Sequence, residues 1–300
     1  MSEEKTVAKP LVSVHVITYN QKEYIHETLG SILEQDYNNI EIVVADDGST
    51  DGTAEIILEY SRTYPDKIIP LVGGLNLGIT RNSNRGLKKC RGKYIAFIGG
   101  DDLFLPGKLT KQVQWLEENE NRVLCGHQVE VFYETGKKPH KLTRFMTSGK
   151  GPQDVILNGP PFAATSVMVR ATSLPEHGFE ESLPTVSDFL LWIECLIPDK
   201  EYGFITGTYA KYRQHQNNIS NQTSIMLTDV EKTIKLISSR YPRYANQTQK
   251  AIGRLVHYVR GIHYLETGKK TDAYREFVMT LRTNPFYFRA WVRLFQLLIP

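Results

Sequence analysis

Cysteine is scarce: Cys90, Cys125 and Cys195 are the only three in 300 residues. They follow no metal-ligand spacing, which sets aside a cysteine-held metal centre and suits a reduced, cytoplasmic setting with each thiol buried as a small apolar side chain. Long hydrophobic runs are missing too. No stretch approaches the length of a membrane span, and the polar start MSEEKTVAKP does not read as a signal peptide. The expectation is a soluble or membrane-peripheral protein with residues 1–10 as a flexible N-terminus. Nor is there an excess charge of one sign. The 36 basic and 33 acidic residues leave a net +3, too small a field to argue for a nucleic-acid partner, so any anionic ligand must be met locally. With 41% apolar and 23% charged residues, the chain has the composition of an ordinary globular protein.

What is present from Leu11 onward is an alternation of strands and helices. In LVSVHVIT, Val12, Val14 and Val16 share one face of a strand. Asn20 and Glu23 then resemble a capping box, and Ile25, Leu29, Ile32 and Leu33 form a helical stripe. A strand over Ile40–Ala45, a helix around Ala54–Tyr60, a strand over Ile68–Val72, a helix through Arg81–Lys89 and a strand at 94–98 follow. This β-α-β-α-β-α-β order predicts an α/β fold with a mainly parallel, doubly wound sheet, because parallel neighbours need crossover connections.

Two strands end in adjacent carboxylates, Asp46-Asp47 and Asp101-Asp102. Ligands of such sheets bind beyond the carboxyl ends of the strands, so both pairs face one crevice. Neighbouring carboxylates repel and must be solvated, hydrogen-bonded or neutralised by a cation. An Asp-rich turn explains either pair alone; two pairs at one edge ask for a ligand.

VSVHVITYNQKEYIHETLGSILEQDYNNIEIVVADDGSTDGT, NLGITRNSNRGLKKCRGKYIAFIGGDDLFLPGKL, SDFLLWIE and YRQHQNNIS resemble, in this order, the motifs of family 2 inverting glycosyltransferases with the GT-A fold. The resemblance spans residues 11–220 and implies a glycosyltransferase domain there. It implies that Asp47 bonds the nucleotide base, that Arg81 reaches the base or its phosphates, and that Tyr19 lines the base pocket. Asp102 and Asp101 match the acidic motif that holds Mn²⁺ or Mg²⁺ against the donor diphosphate, with Asp101 also a candidate for the ribose. Gly99 stands where many relatives carry a further Asp, which puts strict metal dependence in doubt. Asp188 matches the catalytic base, although Ser187 replaces the usual Glu and SDFLLWIE also reads as a capped helix start. Arg213 and His215 match a late motif that folds over the diphosphate.

The implied activity is inverting transfer of a hexosyl or N-acetylhexosaminyl group from a nucleotide-diphosphate sugar, a UDP-sugar above others, to a saccharide or lipid-linked saccharide, in polysaccharide or glycoconjugate synthesis. Two alternatives stay open: a catalytically silent nucleotide- or glycan-binding protein, and a sugar nucleotidyltransferase, although no Gly-rich basic loop follows the first strand.

Residues 221–300 read as a helical region, with Ala273, Phe277 and Leu281 at four-residue intervals like half of a helical hairpin. In NPFYFRAWVRLFQLLIP, Arg289, Arg293 and Gln296 form a narrow polar stripe on an otherwise apolar helix. Such a helix either lies at the inner face of the cell membrane or packs on the domain or on a second copy.

Overall fold

The computed structural model describes residues 9–133, 140–143, 148–216, 218 and 223–298. Residues 1–8 of the expected flexible N-terminus, Asn217, Ile219 and Ser220 of the late motif, and Ile299 lie outside the described residues. By its contacts the chain forms two compact units. The first comprises Met1–Lys150, Phe162–Phe179 and Lys200–Gln216; the second comprises Gly151–Pro161, Glu180–Asp199 and Asn217–Pro300.

The first unit is built on β1 (Val12–Thr18), β2 (Ile40–Asp46), β3 (Ile68–Leu71) and β4 (Tyr94–Gly99), joined by α1 (Ile25–Leu33), α2 (Thr53–Thr63) and α3 (Ile79–Leu87). Their Val and Ile side chains suit a pleated surface covered on both faces, and every residue of β2 is buried. The four strands run parallel in the order β3-β2-β1-β4. Ile25, Leu29 and Ile32 of α1 pack fully buried against Val12, Val14 and Val16. Each such side chain contributes about 1.5–3 kcal/mol of burial energy. Register aligns Thr18 with Asp46 and Ile17 with Gly99, so the strands release their chains along one edge. Chain order reverses between β1 and β4, and that is where a doubly wound sheet opens a crevice.

The sheet continues through β5 (Leu103–Phe104), β6 (Arg122–Tyr133), β7 (Lys141–Leu142), β8 (Gly149–Lys150), β9 (Met168–Arg170) and β10 (Glu201–Gln214), with α4 (Lys108–Glu117) before β6. Beyond β4 the order is β9-β6-β10-β5, with β9 antiparallel to both its neighbours and β10 parallel to β6. Of the strands described, β6 and β10 are the longest.

Asn20 does not cap α1. The helix begins five residues later, and Asn20 adopts a φ of 51° in the loop between. Its side-chain oxygen accepts the Thr50 amide at 2.9 Å while its own amide donates to Ser49 Oγ at 2.8 Å. The amides of Gln21 and Lys22 continue this seam to Thr53 and Asp51. Asn's tolerance of the left-handed region serves a loop-to-loop clasp here, not a helix start.

The second unit is helical. It contains α5 (Gln153–Asn158), α6 (Ser187–Cys195), α7 (Thr223–Arg240), α8 (Ala245–Ala251), α9 (Tyr258–Glu266), α10 (Lys270–Thr283) and α11 (Phe288–Leu298), with a π-helical stretch over Ile252–His257. Ala273 and Phe277 of α10 are buried, and Leu281 packs partly buried beside them. Gly261 allows α9 to approach closely, because a Cβ there would lie 2.6 Å from the Phe277 ring.

Candidate active site

At the end of β2 the two like charges have separate duties. Asp46 turns back on its own loop, where its carboxylate accepts from Ser49 Oγ and, at 3.0 Å, from the Ser49 amide. Asp47 reaches the loop after β3: its Oδ1 accepts the Leu77 amide at 2.7 Å and its Oδ2 the Gly78 amide at 2.9 Å. Backbone amides, together with the Ser49 hydroxyl, satisfy these two buried carboxylates. Gly78, with φ of 84°, stands at the N-cap of α3, so Asp47 fixes where that helix begins. Arg81 lies exposed in its first turn, and Tyr19 is exposed at the end of β1. Arg85 ties the same loops by donating to the carbonyls of Asp46, Leu71 and Gly73. Tyr19, Asp47 and Arg81 therefore belong to one group of loops on the carboxyl edge.

The second acidic pair follows β4 in a turn held by the Gly100 amide donating to the Ile17 carbonyl at 2.8 Å. Both carboxylates are buried. The Arg213 amide donates to Asp102 Oδ1 at 3.0 Å, and Arg213 Nε donates to the Asp101 carbonyl at 2.9 Å. His215 Nε2 lies 2.9 Å from Asp101 Oδ2. The end of β10 therefore clasps the turn. The Arg213 guanidinium sits 4.7 Å from the ring centres of both Tyr24 and Phe132 and pairs with Glu27 at 2.5 Å. His215 stacks on Tyr24 at 5.3 Å. Burial first, and then the adjacent Asp101, push the Asp102 carboxyl well above the usual carboxylate range.

Gly99 bears directly on the missing third carboxylate. A Cβ at that position would lie 2.7 Å from Asp101 Oδ1, so Asp101 leans into the space a side chain would need. Thr18 Oγ1 and Gln21 Oε1 are buried beside Gly100 and have no hydrogen-bond partner among the described residues. The turn offers two adjacent carboxylates, whose mutual repulsion a cation would neutralise, and no group of three or more His, Cys, Asp or Glu side chains that could hold a metal ion occurs among the described residues.

Asp188 belongs to the second unit, where it is the second residue of α6. Val186 occupies the N-cap position, so Asp188 is not a cap of the usual kind. It is half-buried, and desolvation pushes its carboxyl up to about 6 against amide hydrogen bonds from Phe189 and its own backbone. The entry to α6 is anchored by Asp229, whose Oδ2 accepts from the Thr185 amide at 2.8 Å and its hydroxyl at 2.6 Å. Sequence reasoning missed Tyr24, Glu27, Arg85 and Asp229. Only a lone Glu in the first turn of α1 hinted at one of them.

A mainly parallel sheet with acidic turns at its β1/β4 crevice defines a GT-A glycosyltransferase fold. The family model for glycosyl transferase family 2 matches residues 13–176, and the chain belongs to that family. It is 32% identical over 210 residues to a Mycobacterium bovis protein described as uncharacterized, covering 69% of this chain and 60% of that one. The chain thus spans about 60% of the length of that relative. Among solved structures, Staphylococcus aureus TarS 1–349 in complex with UDP-GlcNAc superimposes with a TM-score of 0.62 at 17% identity, covering 93% of each chain. The mannosyltransferase PcManGT from Pyrobaculum calidifontis, in complex with GDP-Man and Mn²⁺, gives 0.63 at 17% identity over 97% of this chain and 85% of that one.

Proposed function

We propose that this chain is an inverting glycosyltransferase that moves a hexosyl or N-acetylhexosaminyl group from a UDP-sugar to a saccharide hydroxyl, in polysaccharide or glycoconjugate synthesis. The observation that carries the reading is the convergence of two strand-ending acidic pairs on one carboxyl edge. Residues 11–220 supply the transferase motifs, with 221–300 as a helical region.

In this reading Tyr19, Asp47 and Arg81 receive the nucleotide, with Asp47 acting through the loop amides it orders as well as through its free lone pairs. Arg213 and His215 brace the acidic turn beside the diphosphate. Asp101 and Asp102 would hold Mn²⁺ or Mg²⁺, which when bound supplies positive charge for the departing diphosphate. Asp188 takes the proton of the acceptor hydroxyl as its oxygen bonds to the anomeric carbon. The bond to the diphosphate breaks on the opposite face, and the leaving group keeps the electron pair. A carboxyl held near 6 is a stronger base than an ordinary carboxylate and is still ionised at neutral pH.

No helix among the described residues is long and apolar enough to cross a membrane. The three cysteines are thiols, which suits a reducing, cytoplasmic setting.

The test is a panel of UDP- and GDP-sugars, with and without Mn²⁺, read for transfer, donor hydrolysis and anomeric configuration of the product. Transfer with inversion supports the reading. Nucleotide binding without turnover on any acceptor favours a silent binding protein, and nucleotidyl transfer from a sugar phosphate favours the third class.

A further inference from the structure

The helix α11 has three sides. At about 100° per residue, Ala290 and Leu294 share one side, Trp291, Phe295 and Phe288 lie within roughly 60° of one another on the next, and Arg289 and Gln296 follow beyond Val292. Ala290 and Leu294 are buried, and Leu294 joins the Ala273 and Phe277 cluster, so this side docks the helix on its own unit. The aromatic side has no such cover. Phe288 is 75% exposed, Phe295 62% and Trp291 44%, and Phe286 in the preceding turn is 94% exposed. The patch is held in place: Trp291 Nε1 donates to the Pro285 carbonyl at 2.9 Å, and its ring lies 6.5 Å from that of Phe295.

Charge distinguishes the partner. After Glu276 the sequence has no acidic residue, and its only charged side chains are Arg282, Arg289 and Arg293. Arg282 and Arg289 are exposed on either side of Phe286 and Phe288 in sequence. A two-fold contact with a second copy would bring these arginines together with no acid in the segment to answer them. An anionic bilayer answers both features, since aromatic rings insert at the headgroup level while arginines reach phosphate.

We infer that α11 and the turn before it form a docking surface for an anionic phospholipid membrane. The surface is peripheral: the helix lies along the bilayer with Phe288, Trp291 and Phe295 inserted, and the chain does not cross it. The inference is independent of the transfer reaction and adds a location to it.

The test uses the full chain with phosphatidylglycerol-containing vesicles and with pure phosphatidylcholine vesicles as the neutral control. Wild type is expected to cosediment with the anionic vesicles, with weaker binding at high salt. Its tryptophan emission should shift to the blue, because Trp291 is exposed while Trp115 and Trp192 are not. The triple variant F288S/W291S/F295S should lose at least tenfold in apparent affinity at an unchanged melting temperature. If that variant does not fold, R282Q/R289Q keeps the test open, with an expected loss of about fivefold per arginine. Equal binding to neutral vesicles, no binding to anionic ones, or a concentration-dependent dimer abolished by the aromatic substitutions would overturn the inference. None of these measurements involves a sugar donor, so failure here and failure of the proposed activity are separable.

Discussion

Asp47 reaches thirty residues along the chain to accept the Leu77 amide at 2.7 Å, and in doing so sets the start of the helix that carries Arg81. A residue expected to read the base thus also builds the loop around it. Asp47→Ala should weaken UDP binding by on the order of 1–3 kcal/mol and lower the melting temperature, since the Leu77 amide loses its acceptor and the Gly78 amide keeps only Asn76 Oδ1. Calorimetry and thermal melts on the same variant check this. A loss confined to the sugar portion of the donor, with free UDP bound normally, would contradict it.

Asp188→Asn should nearly abolish transfer while donor affinity stays within a few-fold. It should also stabilise the fold at neutral pH. Because the folded-state value of this carboxyl is raised to about 6 from an ordinary 3.8, ionisation costs stability above that window. The gain in melting temperature should therefore be largest above pH 6 and fade as pH falls through 6 toward 4. In wild type, turnover should decline below about pH 6 as the base takes up its proton. Wild-type turnover by the variant would remove Asp188 from the chemistry.

Asp102→Ala should erase any increase in UDP affinity that Mn²⁺ confers on the wild type. Calorimetric titrations with and without the metal measure it, and identical Mn²⁺ enhancement in the variant would reject the metal assignment.

Two glycines separate packing from helix propensity. A Cβ on Gly86 would lie 2.4 Å from His15 Nε2, whereas one on Gly30 meets nothing within 4 Å. Gly86→Ala should cost about 1–3 kcal/mol through overpacking. Gly30→Ala, inside α1, should add roughly 0.5–1 kcal/mol. Denaturant midpoints of the two variants should move in opposite directions.

The parallel half of the sheet is readable in the sequence because VSVHVIT, IEIVVAD and YIAFIG are Val- and Ile-rich runs, with few polar residues inside them, that stop at polar turns. β6 and β10 are harder to read. Gly126 and Gly203 interrupt them, and the space over these glycines is filled by Phe162 and Trp115 from elsewhere in the chain, as a Cβ would meet each ring at 2.3 Å. The acidic motifs were visible as residue types. Their supports were not, because Glu27 and Arg213 stand 186 positions apart and nothing local marks either as the other's partner. Asn20 misled for a related reason: its side chain serves a loop thirty residues away, not the helix that follows it.

The threading of the chain between the two units has a practical meaning for anyone who shortens the protein. The segments 151–161 and 180–199 lie within residues 11–220 in sequence but belong by contact with residues 217–300. A cut after residue 220 would remove Asp229 from Thr185, and Arg240 and Tyr241 from the buried Glu194, three polar anchors at or beside α6. Asp188 would then sit on a helix that had lost these anchors. The helical region is therefore scaffold for α6, and a minimal fragment chosen from motif boundaries would keep Asp188 while removing residues that hold its helix.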